Sequence, residues 1–186
     1  MRRRDVFSGL LTILIVLAGF SSSTAMAQSE GQSETTSTAR VGSSGLPIPR
    51  FVSLKSARVN MRVGPGTNYA VEWMYLKSGL PVEIIQEFDN WRRIRDVDGT
   101  EGWVNQALLS GTRMAIIAPW LQGKETSLPL LASKQNSSRR VAQVEPGAVG
   151  GVEECDGTWC RMRFSGHIGW IEQALIWGVY PDEELD

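Results

Sequence analysis

Glu87-Phe88-Asp89-Asn90-Trp91, followed by Gly102-Trp103-Val104-Asn105-Gln106-Ala107-Leu108, decides the fold of this chain, because a version of it occurs twice. The second copy reads Glu154-Cys155-Asp156-Gly157-Thr158-Trp159 and then Gly169-Trp170-Ile171-Glu172-Gln173-Ala174-Leu175. The offset is 67 residues from Gly102 to Gly169 and 68 from Trp91 to Trp159, so the copies differ there by one residue. Upstream, Ser78-Gly79 and Val82-Glu83-Ile84 line up more faintly with Pro146-Gly147 and Gly150-Gly151-Val152. A small unit has been duplicated in tandem, and function is to be sought in what that unit does.

Working outward to the N-terminus, residues 1–27 have the pattern of an export signal. Arg2-Arg3-Arg4 form a positive start, Val6 to Phe20 are almost wholly apolar, and Ala25-Met26-Ala27 is a small-residue cleavage site. The apolar run is short for a membrane span, so no span is expected in the mature form. Arg3-Arg4-Asp5-Val6-Phe7 loosely resembles a twin-arginine signal; the general secretory route is favoured. Either route places the mature chain in the periplasm or outside the cell. Residues 28–50 are poor in large apolar side chains and predict a flexible tether. Without residues 1–27 the chain keeps 16 of its 19 basic and 19 of its 20 acidic residues, a formal net charge of −3, which excludes nucleic acid as a partner. Asp182, Glu183, Glu184 and Asp186 predict a solvated acidic tail over 181–186.

The remaining 130 or so residues form two units of about 60–70 each. Within the first, Val59-Asn60-Met61-Arg62-Val63 and Leu80-Pro81-Val82-Glu83-Ile84 alternate apolar and polar positions. Trp91 to Arg95 and Gly102 to Val104 are further short strands. Gly64-Pro65-Gly66, Ser78-Gly79, Asp89-Asn90 and Asp98-Gly99 punctuate them, and Gly-Pro-Gly predicts a type II turn with positive φ at Gly66. No stretch holds a helical period; Asn105 to Leu109 has room for a single helical turn. The expected class is all-β, with two tandem small β-barrels. Domain one is expected over 51–118, closing with Met114-Ala115-Ile116-Ile117, and domain two over 119–180, closing with Ile176 to Tyr180. The connection, Pro119 to Thr126, is short and contains Trp120-Leu121, so the barrels are expected to touch.

Arg62-Val63-Gly64-Pro65-Gly66-Thr67-Asn68-Tyr69, with Ser78-Gly79, an Asp89-Asn90-Trp91 hairpin and a closing Gly102-Trp103-Val104, resembles the bacterial-type SH3 domain of exported proteins. The resemblance covers residue 51 to about 180, and the arrangement is similar to small exported tandem SH3-like proteins of unknown function. The second repeat departs from the pattern, with Leu131-Ala132-Ser133-Lys134-Gln135-Asn136 in place of the Arg and Gly-Pro-Gly, while Trp159 and Gly169-Trp170 are intact. The resemblance implies an SH3-like fold and a binding habit in cell-wall or periplasmic settings, not a reaction.

Cys155 and Cys160 are separated by Asp-Gly-Thr-Trp, and a hairpin tip there sets them opposite each other. Export and an even cysteine count favour a disulfide; the rivals are a redox pair and a zinc site with His167, which would lack a usual fourth ligand. The repeat alignment sets Phe88 and Arg92 at the positions of these cysteines. Chemistry is otherwise sparse. His167 is the single histidine, which rules out a Cys-His-His peptidase, and there is no G-x-S-x-G elbow. Glu153 and Glu154 neighbour each other on a strand and point apart, and Gly64-Pro65-Gly66 precedes neither a helix nor a Lys. No enzyme, cofactor or metal is expected.

The chain has seven tryptophans. If Ile94 and Val104 are inside, strand alternation puts Trp91 and Trp103 at least partly outside. Either the tryptophans pack in the cores and between the domains, or those of repeat one form a ligand groove. For the groove, the resemblance suggests Tyr69, Trp73, Trp91 and Trp103. Arg62 and Arg93 complete the candidate set, with Arg92 and Arg95 also close to Trp91. The expected function is an exported, non-enzymatic module that binds peptidoglycan or a periplasmic protein or peptide through domain one; the alternative is an adaptor subunit of an envelope complex.

Overall fold

The computed structural model describes residues 40–186; the expected signal peptide and the tether up to residue 39 lie outside the described residues. Val59 and Met61 are fully buried while Asn60 and Arg62 face outward, the period-2 pattern of a strand with one wet face. Strands of this kind, β3 (Arg50–Leu54), β4 (Val59–Arg62), β5 (Val71–Tyr75), β6 (Pro81–Phe88), β7 (Trp91–Arg95), β8 (Glu101–Asn105) and β9 (Leu109–Ser110), build the first sheet. They follow a short hairpin of β1 (Arg40–Val41) and β2 (Pro47–Ile48). The sheet runs β5-β4-β8-β7-β6-β3-β9, antiparallel throughout, and curls over a core that includes Met61, Ile84, Ile94 and Val104.

The second sheet repeats the first. It uses β10 (Met114–Ile117), β11 (Leu128–Leu131), β12 (Arg140–Val144), β13 (Val149–Asp156), β14 (Trp159–Phe164), β15 (His167–Glu172) and β16 (Ile176–Trp177) in the order β12-β11-β15-β14-β13-β10-β16. An added β17 (Glu184–Leu185) pairs with β13. Each barrel therefore has its own core, the second containing Ile117, Leu130, Met162 and Ile171. The only helical pieces among the described residues are 3-10 turns at Gln106–Leu108, Pro119–Leu121 and Gln173–Leu175.

The duplicated Gly-Trp has a packing reason. A Cβ on Gly102 would lie 2.5 Å from Met61 Cγ and 3.0 Å from the Arg62 carbonyl oxygen, and one on Gly169 would lie 2.7 Å from the Leu131 oxygen. Contacts that short cannot exist, so both copies need glycine where β8 crosses β4 and β15 crosses β11.

Three expectations about boundaries are corrected by the pairing. Met114 to Ile117 does not close the first barrel; as β10 it opens the second, paired to β13 and β16, and β9 closes the first against β3. The division lies at residues 111–113, and Pro119 to Thr126 belongs to the second barrel. An apolar strand can complete either core, and hydrogen-bond register, a non-local property, decides which. The tether does not extend to residue 50: the β1–β2 hairpin is anchored by Ser44, whose N–H and hydroxyl both donate to Glu87, at 2.8 and 2.7 Å. The acidic end is not merely solvated: Glu183 binds Arg113 at 2.8 Å, and Glu184–Leu185 forms β17.

The barrels touch, as expected. Phe51 of the first meets Trp177 edge-on, with centroids 5.1 Å apart, and Tyr180 at 4.8 Å. The Arg113 guanidinium lies 5.9 Å from the Phe51 ring, and the Tyr180 hydroxyl donates to Glu83 at 2.8 Å. Phe51 and Ser53 alternate with the core residues Val52 and Leu54, yet all four are buried, because the outer face of β3 is covered. Burying a Phe side chain contributes about 1.5–3 kcal/mol to holding the barrels together, alongside the Tyr180–Glu83 hydrogen bond.

Candidate functional site

Alternation along three neighbouring strands of barrel one fixes one outward surface. Ile94 and Val104 are fully buried, so Trp91 and Arg93 on β7, and Trp103 and Asn105 on β8, point out with Asn60 and Arg62 of β4. Register sets Trp103 between Arg62 and Arg93, and Trp91 opposite Asn105. A cleft of about 420 Å³ opens on this surface, with Arg58, Asn60, Arg62, Met74, Trp91 and Asn105 among its walls. Of the six sequence candidates, Arg62 and Trp91 line this cleft; Trp103 and Arg93 share its outward face without lining it.

The cleft is polar in a directed way. Arg62 Nη1 donates to the Tyr69 carbonyl at 2.5 Å and Arg58 Nε points at the Met74 sulfur at 3.2 Å; neither guanidinium has a carboxylate partner among the described residues. Asn60 Oδ1 is buried and accepts no hydrogen bond from them. Such an acceptor costs free energy until a donor reaches it. Arg58, Asn60 and Asn105 were absent from the sequence candidates, although the alternation of Val59 to Val63 carried the signal for Asn60.

Tyr69 is 42% exposed and stacks on the loop rather than on the cleft wall. A Cβ on Gly64 would come within 2.4 Å of its ring, and one on Gly66 within 3.2 Å of it and 2.4 Å of Asn68 Oδ1. Neither glycine has positive φ, so the expected type II turn is absent; Gly66 N–H instead donates to the Gly64 oxygen. The two glycines are there for close approach of the tyrosine ring, and the loop thereby carries the carbonyl that holds Arg62.

Arg92 and Arg95 are both engaged by carboxylates within the barrel. Arg92 is 6% exposed and is consumed by Glu87, the Asp89 and Trp91 carbonyls and Gln106. Arg95 pairs with Glu83 at 2.6 Å, which raises its pKa, and Arg93 pairs with Glu101 at 2.9 Å. Glu87 joins Arg92 and Arg50 in a separate cluster. Burial opposes its charge, but the Ser44 N–H and hydroxyl, Arg50 and the Ser43 hydroxyl hold its pKa down at about 2.

Trp73 departs from the others. It lies opposite Met61 across β4 and β5, on the core side of an edge strand, because a bulge between Met61 and Arg62 sets the register there. It is 56% exposed and lines a different cavity.

Barrel two resolves the cysteines as a disulfide, with Cys155 and Cys160 directly paired across β13 and β14. His167 stands at the far end of the β14–β15 hairpin, opposite Phe164, and among the described residues no group of side chains is placed to hold a metal. The register also corrects the alignment: Glu87 opposes Arg92 as Cys155 opposes Cys160, so Glu87, not Phe88, is the counterpart of Cys155. One barrel has a buried ion pair where the other has a covalent bond. Around Trp170, the counterpart of Trp103, the replaced loop brings Lys134 Nζ to 4.2 Å from the ring centroid. Lys134 is held there by Asp156 at 2.9 Å. The Trp159 N–H, Lys134 and the Thr158 N–H in turn bring the Asp156 pKa down to about 2. The loop of the second barrel thus covers its Gly-Trp tryptophan with its own cation.

Two small antiparallel barrels of the same strand order, each with a Gly-Trp crossing and one with an open aromatic and basic cleft, define a tandem SH3-like binding architecture. The chain belongs to the bacterial SH3 domain family, whose pattern matches residues 55–111 and 124–178. No curated protein matches the chain. Among solved structures it is similar to NlpC2 and NlpC1 from Trichomonas vaginalis, at 13% and 15% identity over 69% and 74% of the chain, each with a TM-score of 0.30. It is also similar to an NlpC/P60 family protein from Bacillus cereus, at 9% identity over 69% of the chain and a TM-score of 0.31. The chain spans about half the length of these proteins, 48%, 48% and 56%, and a likeness of that degree does not extend to function. Among the described residues no helix is long and apolar enough to cross a membrane.

Proposed function

We propose that the protein is an exported binding module and that the cleft of barrel one takes peptidoglycan stem peptides or similar carboxylate-bearing peptides. The observation that carries the reading is the cleft wall itself, where Trp91 stands with the Arg58 and Arg62 guanidinium groups, neither of which has a carboxylate partner among the described residues. A peptide supplies each complement: a backbone or side-chain face for Trp91, and carboxylates for Arg58 and Arg62. In the second barrel Lys134 covers Trp170, which supports one binding barrel beside one structural barrel.

Cosedimentation of the full chain with purified peptidoglycan sacculi tests this. Trp91→Ala and Arg62→Ala, both at partly exposed positions, are expected to weaken binding by ~5- to 100-fold with little change in thermal stability. Trp103→Ala should weaken it less, through loss of the neighbouring aromatic. Trp170→Ala should lower the melting temperature and leave sacculus binding in place. Undiminished binding by the Arg62 and Trp91 variants would overturn the assignment of the cleft.

A further inference from the structure

Trp73, placed by the fold on the other side of β5, lines a second surface. A cavity of about 310 Å³ has Trp73, Tyr75 and Pro81 on its walls, and an adjoining one of about 460 Å³ has Trp120 and Trp177. The two share Leu80, Val97, Asp98 and Ile116, so together they follow the junction between the barrels. Trp73 and Trp120 are 56% and 53% exposed, which is unusual for side chains that gain so much from burial.

The duplication shows that the fold itself does not demand these aromatics. Trp73 opposes Met61 on the edge of the first sheet, and the corresponding pair in the second is Ala142 opposite Leu130. Trp177 opposes Ile116 on β16, and the corresponding pair in the first barrel is Ser110 opposite Ser53. At both register positions the copy away from the cleft has a small residue, and the barrel closes equally well. Trp177 is used in packing against Phe51, whereas Trp73, on an edge strand where the copy has alanine, has no such partner among the described residues and answers to the cleft.

Charge narrows the occupant. The first cavity is lined by Asp96 and Asp98 and by no cation; Lys77 lines only the second. Asp96 is satisfied by the Tyr75 hydroxyl and by the N–H groups of Asp98 and Thr100. The Asp98 carboxylate has no hydrogen bond or ion pair among the described residues. An apolar strip with an unpaired carboxylate in the wall common to both cavities complements an extended segment that has apolar or proline residues next to a basic side chain.

From this we propose that the inter-barrel cleft is a second binding site, for an extended apolar segment of a partner protein with a Lys or Arg seated at Asp98. The site is separate from the cleft at Trp91 and selects the opposite charge. Selection of a displayed library of random dodecapeptides on the full chain tests it. Enriched peptides should combine apolar or proline residues with Lys or Arg, and a synthetic peptide of the enriched sequence should lose at least tenfold in affinity to Trp73→Ala and to Trp120→Ala. Asp98→Lys should reverse the enrichment toward Asp and Glu, whereas Trp91→Ala should leave it unchanged. Both tryptophans are more than half exposed, so these variants are expected to fold. An enriched set bound equally well by the Trp73→Ala, Trp120→Ala double variant, or lost instead on Trp91→Ala, would overturn the proposal, as would the absence of any enrichment over that double variant. The sacculus assay reports on the other cleft, so either site can fail without the other.

Discussion

Replacing Glu87 by Gln should cost stability at neutral pH and cost nothing in strong acid. The carboxylate side chain is 1% exposed and receives the Ser44 N–H and hydroxyl, the Ser43 hydroxyl and Arg50, with Arg92 at 3.3 Å. Those contacts hold its pKa at about 2 against an ordinary 4.5. The displacement corresponds to roughly 3 kcal/mol at 1.36 kcal/mol per unit. The site borders exposed serines, and solvent screening reduces that to about 1–2 kcal/mol. Because the folded pKa is the lower one, the stabilisation is fully present above pH 4.5 and is lost as pH falls from there through about 2. Gln has the same shape but places an amide donor and no charge between two guanidinium groups, so the variant should lose the attachment of the 40–48 hairpin as well. Thermal unfolding at pH 7 should show the variant lower by ~3–8 °C, and hydrogen exchange at the Ser44 amide should accelerate. The gap should close near pH 2. A gap of constant size from pH 7 to pH 2 would refute the reasoning, since it would place the loss in packing and not in charge.

Two further outcomes test the barrels themselves. The unreduced protein should have a mass two hydrogens below the thiol form, and a Cys155→Ser, Cys160→Ser double variant should lose about 2 kcal/mol in urea unfolding, the loop-entropy value for so short a closure; free thiols in exported protein would contradict the pairing. Gly102→Ala and Gly169→Ala should each destabilise by ~1–3 kcal/mol or more through the clash at their strand crossings, and equal stability to wild type in either would show that the crossings can spread to admit a methyl group.

Much of this molecule was legible in one dimension. The repeat specified two copies of one unit, and the alternation of β4, β7 and β8 told which side of each strand was wet, so that burial of Ile94 and Val104 and exposure of Trp91 and Trp103 followed from period alone. The cysteine pair was legible because hairpin spacing is local and the cysteine count is even. What only the tertiary structure decided was partnership. Met114 to Ile117 is apolar enough to complete either core, and long-range pairing gave it to the second. A bulge moved Trp73 out of the groove it was expected to join, by changing which neighbour it opposes. Arg92 and Arg93 are adjacent and alike in sequence, yet one is sealed against Glu87 and the other lies on the outward face, paired with Glu101. Periodicity specifies in and out for a strand, but the identity of the group across from each side chain depends on contacts between residues far apart in the chain, and only the folded chain brings those together.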